Sequence, residues 1–310
     1  MTVFIETIDT ENYRWIDARF DLKDPAWGSE SFAAEHVAGA IHWDLENDLS
    51  DMASANGRHP MPSKEQLAQL FQAAGLELTD SIVIYDQGGS PFAARAWWLL
   101  CYAGFEQAYI SRVGFEELKR QGIATSTEAT PYPASTITPE FNDGLLATRK
   151  DVQQIVDGKE LGVLIDARSP ERYAGINEPI DAVAGRIPGA RNYDWSQLVS
   201  NGAFRTDEEF GGLLQPKEPA VVYCGSGVTA AALYAMLAEK QHEGLKLYVG
   251  SYSDWISDED NVVEIDRDEH PEAADDQTKA VLAKLIEEGY TGEMLMKKFE
   301  YEKSLLEDKK

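Results

Sequence analysis

Apolar residues recur along this chain in short runs, each closed by a polar or glycine-rich turn and followed by a stretch with helical spacing. YRWIDARF, SIVIYDQGG, QAYISRVG, GVLIDARS, PAVVYCGSG and LKLYVGS are the clearest of these runs. Short β-rich runs alternating with helical patterns predict an α/β fold with a largely parallel sheet. Helix starts are marked by Ser63 with Gln66 and by Thr148 with Asp151, both at capping-box spacing.

The pattern occurs twice. YRWIDARF matches GVLIDARS, HVAGAIHWD matches RIPGARNYD, and SIVIYDQGGSPFAARAWWLL matches PAVVYCGSGVTAAALYAML. QAYISRVGFEELKRQG then matches LKLYVGSYSDWIS. Four matched elements in the same order predict a duplicated domain. TSTEATPYPASTITPE, rich in Thr, Ser and Pro, reads as the linker. The expected division is 1–135, 136–256 and a C-terminal extension, 257–310. That extension reads as a solvated acidic connector followed by a helical hairpin from Thr278 onward.

At 310 residues the chain accommodates two cores of ordinary size. Its formal net charge of −26 opposes binding to nucleic acid or anionic lipid, so an anionic substrate needs a local positive pocket. The first residues lack a signal-peptide pattern and no apolar run approaches membrane-spanning length. Two cysteines make no disulfide framework, which points to a reducing cytoplasm. Five scattered histidines give no metal-ligand spacing, and no dinucleotide fingerprint is present, so neither metal nor organic cofactor is expected.

The chemistry centres on Cys224, placed between an apolar run and an alanine-rich helical one. Ligands of a parallel sheet bind beyond the carboxyl ends of its strands, where Cys224 falls. Gly225 and Gly227 allow a tight curl that turns backbone N–H groups toward the sulfur. Val228 and Thr229 lead into a helix whose dipole is positive at this end. Together these features stabilise a negative sulfur and seat an anion beside it. Cys101, in WWLLCYAGF, has no such neighbours and reads as core.

With CGSGVTA on its second half, the chain resembles the tandem-domain rhodanese and 3-mercaptopyruvate sulfurtransferase family. RHPMP (Arg58 to Pro62), HVAGA, DARSPERYAG and RIPGA resemble its signatures, and the likeness runs to about Trp255. The resemblance implies two rhodanese-like domains, the first inactive, with Asp86 standing where a cysteine would be needed. It implies that Cys224 takes a sulfane sulfur as a persulfide and passes it to cyanide, a thiol or thioredoxin. Arg172 would bind the anionic donor, Ser226 would relay a proton to the leaving group, and His36, in AEHVAGA, would join Ser226 in that relay. Arg186 replaces a common histidine and either adds positive potential or pairs with an acid. The loop serine favours 3-mercaptopyruvate as donor. Asp181, nine residues beyond Arg172 where mercaptopyruvate enzymes carry a second arginine, favours thiosulfate. The expectation is 3-mercaptopyruvate first and thiosulfate second.

Two other classes fit the sequence less well. A cysteine phosphatase needs an arginine at the end of the loop to clamp a phosphoryl group, and the sixth residue after Cys224 is Ala230. A non-catalytic binding module has no need of Cys224, Arg172 and the complete glycine turn together.

Overall fold

In the computed structural model, residues 2–6, 12–205, 207, 209–215, 217–266 and 284 are described. The first half contributes strands β1 (Phe4–Ile5), β2 (Arg14–Asp17), β3 (Ile41–His42), β4 (Ile82–Tyr85) and β5 (Ala108–Ser111). The second contributes β6 (Leu146–Ala147), β7 (Val163–Asp166), β8 (Arg191–Asn192), β9 (Ala220–Tyr223) and β10 (Leu245–Tyr248). Each set forms one parallel five-stranded sheet, in the orders β1-β5-β4-β2-β3 and β6-β10-β9-β7-β8. The two orders are the same. Registers repeat as well: Asp17 pairs with Tyr85 as Asp166 pairs with Tyr223. Asp86 and Cys224 therefore follow equivalent strand ends.

Central strands β4 and β9 are buried along their whole length, as their unbroken apolar runs require in a sheet covered on both faces. Helices α1 (Trp27–Ala34), α2 (Lys64–Ala73), α3 (Phe92–Tyr102) and α4 (Phe115–Arg120) flank the first sheet. Helices α5 (Arg149–Val156), α6 (Pro170–Ala174), α7 (Thr229–Glu239) and α8 (Ser251–Trp255) flank the second. Both expected capping boxes close, Ser63 with Gln66 and Thr148 with Asp151. Helices α3 and α7 are buried on almost every face because they pack against each other between the halves. The Trp97 and Trp98 rings lie 6.3 and 6.4 Å from Tyr234 there. One hydrophobic core runs through both halves, and residues Met1–Ile265 form a single compact unit.

The repeated Asp-Ala-Arg is a buried brace. Arg19 donates to Asp17 at 2.6 Å and to the Glu35 carbonyl at 2.7 Å, while Tyr85 donates to Asp17 at 2.7 Å. Arg168 repeats this with Asp166 and the Gly185 carbonyl, both at 2.6 Å. Each pair ties a strand end to the segment crossing its sheet. Removing one partner would strand a buried charge, at a cost of about 3–5 kcal/mol.

The halves cover each other's loops. The turn Gly88–Gly89 of the first half packs on Gly202 and Val199, in the ribbon formed by Val199–Ser200 and Ala203–Phe204. In return, the segment carrying Gly57 and Arg58 packs on Gly250 and Ser253 of the second half. The linker also lies along the first half: the Tyr132 hydroxyl donates to the Gly39 carbonyl at 2.8 Å, and Arg14 stacks on its ring.

The start of the extension is not a free connector. Arg186 and Glu264 exchange backbone hydrogen bonds of 2.8 and 2.9 Å, and Val263 and Ile265 pack against Gly185. The expected helical hairpin lies outside the described residues. No helix among the described residues is long and apolar enough to cross a membrane.

Candidate active site

Cys224 follows the last residue of β9 and is 2 % exposed. Its backbone is fixed by the first turn of α8. The Cys224 N–H donates to Ser251 Oγ at 3.1 Å, and its carbonyl accepts from the Tyr252 N–H at 3.0 Å. Ser251 holds this position from the left-handed region, φ 57°, strain that the surrounding bonds must offset. The Gly225 carbonyl accepts from the Ser253 N–H at 2.9 Å.

Above the sulfur, the Gly227 N–H donates to Cys224 Sγ at 3.1 Å. Gly227 needs φ +77° to do so, and a β-carbon there would overlap the Val249 carbonyl. Val228 is buried and Thr229 opens α7, whose dipole adds positive potential at the same end. Cys101 lies half-buried against the core, and burial pushes its thiol up, away from reactivity.

Two guanidinium groups converge on Gly225. A β-carbon at that residue would lie 2.6 Å from Arg58 Nη2 and 3.3 Å from Arg172 Nη2. Arg172 comes from α6, as expected. Arg58 comes from the first half, its N–H donating to Ser253 Oγ at 3.1 Å. Both arginines bond to the buried carboxylate of Asp181, Arg172 at 2.8 Å. Arg172 is also held by Glu178, through bonds of 3.0 and 3.1 Å. Burial raises the Asp181 carboxyl above its ordinary value, while Arg58 and Arg172 pull it down. At Glu178 burial also raises the carboxyl, but Arg172 and the backbone N–H groups of Asp181 and Ile180 outweigh it and lower it. A pair of guanidiniums beside a sulfur is a fitting seat for a carboxylate or sulfonate.

Ser226 lies on the other side of the loop, buried, with its Oγ 2.8 Å from His59 Nδ1. The His59 Nε2 points toward Glu46, 4.0 Å away and beyond hydrogen-bond reach. Burial, then the charges of Arg95 and Arg58, push His59 down to about 4, so the imidazole is neutral at neutral pH.

A rhodanese-like domain model matches residues 2–121 and again 148–258. The chain belongs to the rhodanese-like family. A Pseudomonas aeruginosa relative, provisionally named 3-mercaptopyruvate sulfurtransferase, is 37 % identical over 253 residues, 78 % of this chain and 89 % of that one. A Mycobacterium tuberculosis relative, provisionally named thiosulfate sulfurtransferase SseB, is 34 % identical over 250 residues, covering 78 % and 87 %. The crystal structure of the Escherichia coli 3-mercaptopyruvate sulfurtransferase SseA superposes with a TM-score of 0.71 at 29 % identity. It spans 82 % of this chain and all of that one.

Within this rhodanese frame, Cys224, Gly225, Ser226, Gly227 and Arg172 come together, with Val228 and Thr229 completing the loop. His36 does not join them. Its Nδ1 lies 2.6 Å from the Phe32 carbonyl, its Nε2 3.3 Å from the Glu128 carbonyl, and its ring stacks on Phe32. The histidine on Ser226 is His59. Arg186 pairs with Glu264 and stacks on Tyr173, so the acid-pairing alternative is the one realised. His59 and Arg58 were missed as site residues although RHPMP marks them. Asp86, in the first half, accepts from the Gly88 and Ala93 N–H groups at 2.8 and 3.1 Å, so a carboxylate fills the cradle that Cys224 fills in the second.

Proposed function

We propose that this sulfurtransferase takes its sulfur from 3-mercaptopyruvate. The Cys224 thiolate attacks the donor sulfur, an S–S bond forms, and the C–S electron pair leaves with the carbon fragment as the pyruvate enolate. Arg58 and Arg172 hold the donor carboxylate. Ser226 gives the enolate carbon a proton and regains one from His59 Nδ1, with replacement entering at Nε2 on the Glu46 side. The Cys224 persulfide then yields its outer sulfur to a nucleophilic acceptor and the thiolate returns. Small thiols, thioredoxin and cyanide all fit that step, and a cytoplasmic setting suits the two unpaired cysteines.

The observation that carries this choice of donor is the 2.8 Å contact between Ser226 and His59, because only an enolate-leaving donor needs a proton delivered. Thiosulfate is the second reading. Its leaving sulfite is a stable anion, and the Arg58–Arg172 pair suits a sulfonate as well as a carboxylate. Steady-state kinetics on both donors test the choice. Ser226→Ala should lower kcat with 3-mercaptopyruvate by about 10²-fold or more and change thiosulfate turnover by no more than roughly a few-fold. Equal losses on both donors, with thiosulfate preferred by the wild type, would overturn it.

A further inference from the structure

Arg95 lies on α3 and is 0 % exposed, yet none of its hydrogen bonds among the described residues goes to a carboxylate. Its Nη2 donates to the Leu49 carbonyl at 3.1 Å and to the His59 carbonyl at 3.3 Å, and among the described residues Nε and Nη1 have no hydrogen-bond partner. Burying a guanidinium without a hydrogen-bonded carboxylate is expensive, and a residue needed only for packing would be apolar. Burial lowers Arg95 to about 10, with the Cys224 sulfur acting in the opposite direction, so it remains a cation at neutral pH.

Both carbonyls belong to the segment that crosses to the second half with Arg58 and His59. We propose that Arg95 is a positioning residue for sulfur transfer: through those carbonyls it anchors the crossing segment that brings His59 to Ser226, and it does so as a cation with no hydrogen-bonded carboxylate among the described residues. The inference rests on the proton relay described above. The groups facing the His59 ring are then Ser226 at Nδ1, Glu46 beyond Nε2, and the charges of Arg58 and Arg95. Arg95 and Arg58 both act in the direction of burial, keeping the ring neutral where a relay must accept a proton and return it.

The test is a double-mutant cycle in the full chain, combining Arg95→Met or Arg95→Lys with His59→Gln. Arg95→Met should lower kcat for 3-mercaptopyruvate by about 10²-fold, the scale of a small misplacement of a reacting group, with KM little changed. The acid limb of its kcat profile should move up from about 4 toward the ordinary histidine value. Arg95→Lys keeps the charge and reaches one carbonyl, so it should lose turnover while leaving that limb in place. In the His59→Gln background neither change should reduce turnover further. Should Arg95→Met fail to fold, the Arg95→Lys arm decides: full turnover, or a loss that multiplies with His59→Gln, overturns the proposal. A slow His59→Gln enzyme in which the Arg95 losses multiply removes the proposal alone. A His59→Gln enzyme with wild-type turnover removes the relay, and the proposal with it.

Discussion

His59 Nδ1 lies 2.8 Å from Ser226 Oγ, across 167 positions of sequence and from one half of the chain to the other. The first half carries Asp86 where the second carries Cys224, yet it supplies the residue that reaches the second half's reacting loop. His59→Gln should therefore cut 3-mercaptopyruvate turnover by about 10²- to 10⁴-fold, the usual worth of a positioned acid–base group. His36→Gln, which alters only contacts with Phe32 and Glu128, should leave turnover unchanged. Steady-state rates of the two variants, side by side, check the assignment.

The fold was legible because its signals are local. Runs such as SIVIY and AVVY, the two capping boxes and the doubled Asp-Ala-Arg each depend on neighbours in sequence. Cys224 and its glycines were legible for the same reason. The relay was not, because it depends on which long segment of the first half crosses to the second. HVAGA drew attention to His36, whereas the crossing segment carries RHPMP. Likewise, the position nine residues beyond Arg172, where the resemblance looks for a second arginine, holds Asp181. The second guanidinium is Arg58, placed over Gly225 by Ser253, and no pattern within the second half could reveal it.

The two loop glycines should fail differently. At Gly225 a β-carbon meets the far end of the flexible Arg58 side chain, so Gly225→Ala should fold and raise donor KM about tenfold, roughly one charge-assisted hydrogen bond. At Gly227 it meets the Val249 backbone in a left-handed conformation. Gly227→Ala should cost at least about 1–3 kcal/mol of stability. Thermal melts and KM for the two variants distinguish them; equal behaviour contradicts the geometry.

Asp181 bridges Arg58 and Arg172 where the donor's anionic end would bind. Asp181→Asn should free both guanidiniums and lower KM for either donor. Asp181→Arg should not help, since it would bury a third guanidinium beside the other two, and a loss of about 3–5 kcal/mol is expected. Unchanged KM in Asp181→Asn would show that the carboxylate does not compete with the donor.

Burial pushes the Asp86 carboxyl up to about 7, against the lowering effect of the Gly88 and Ala93 N–H groups. A carboxyl raised on folding binds its proton more tightly in the folded chain, so its stabilising contribution is fully present below about 4 and is lost as pH rises through about 7. Asp86→Asn carries no such titration. The Tm of wild type relative to Asp86→Asn should therefore fall between those two pH values. A pH-independent difference would mean that Asp86 titrates normally.

Sulfur transfer through Cys224 is the claim on which the rest depends, and mass spectrometry of the intact protein and its peptides reads it directly. After incubation with 3-mercaptopyruvate and removal of excess donor, one added sulfur should be found on the peptide containing Cys224. None should be found on that containing Cys101, and the added sulfur should vanish when a thiol acceptor is supplied. Cys224→Ser should stay folded and carry no added sulfur. Sulfur on Cys101, or turnover by Cys224→Ser, would contradict the account.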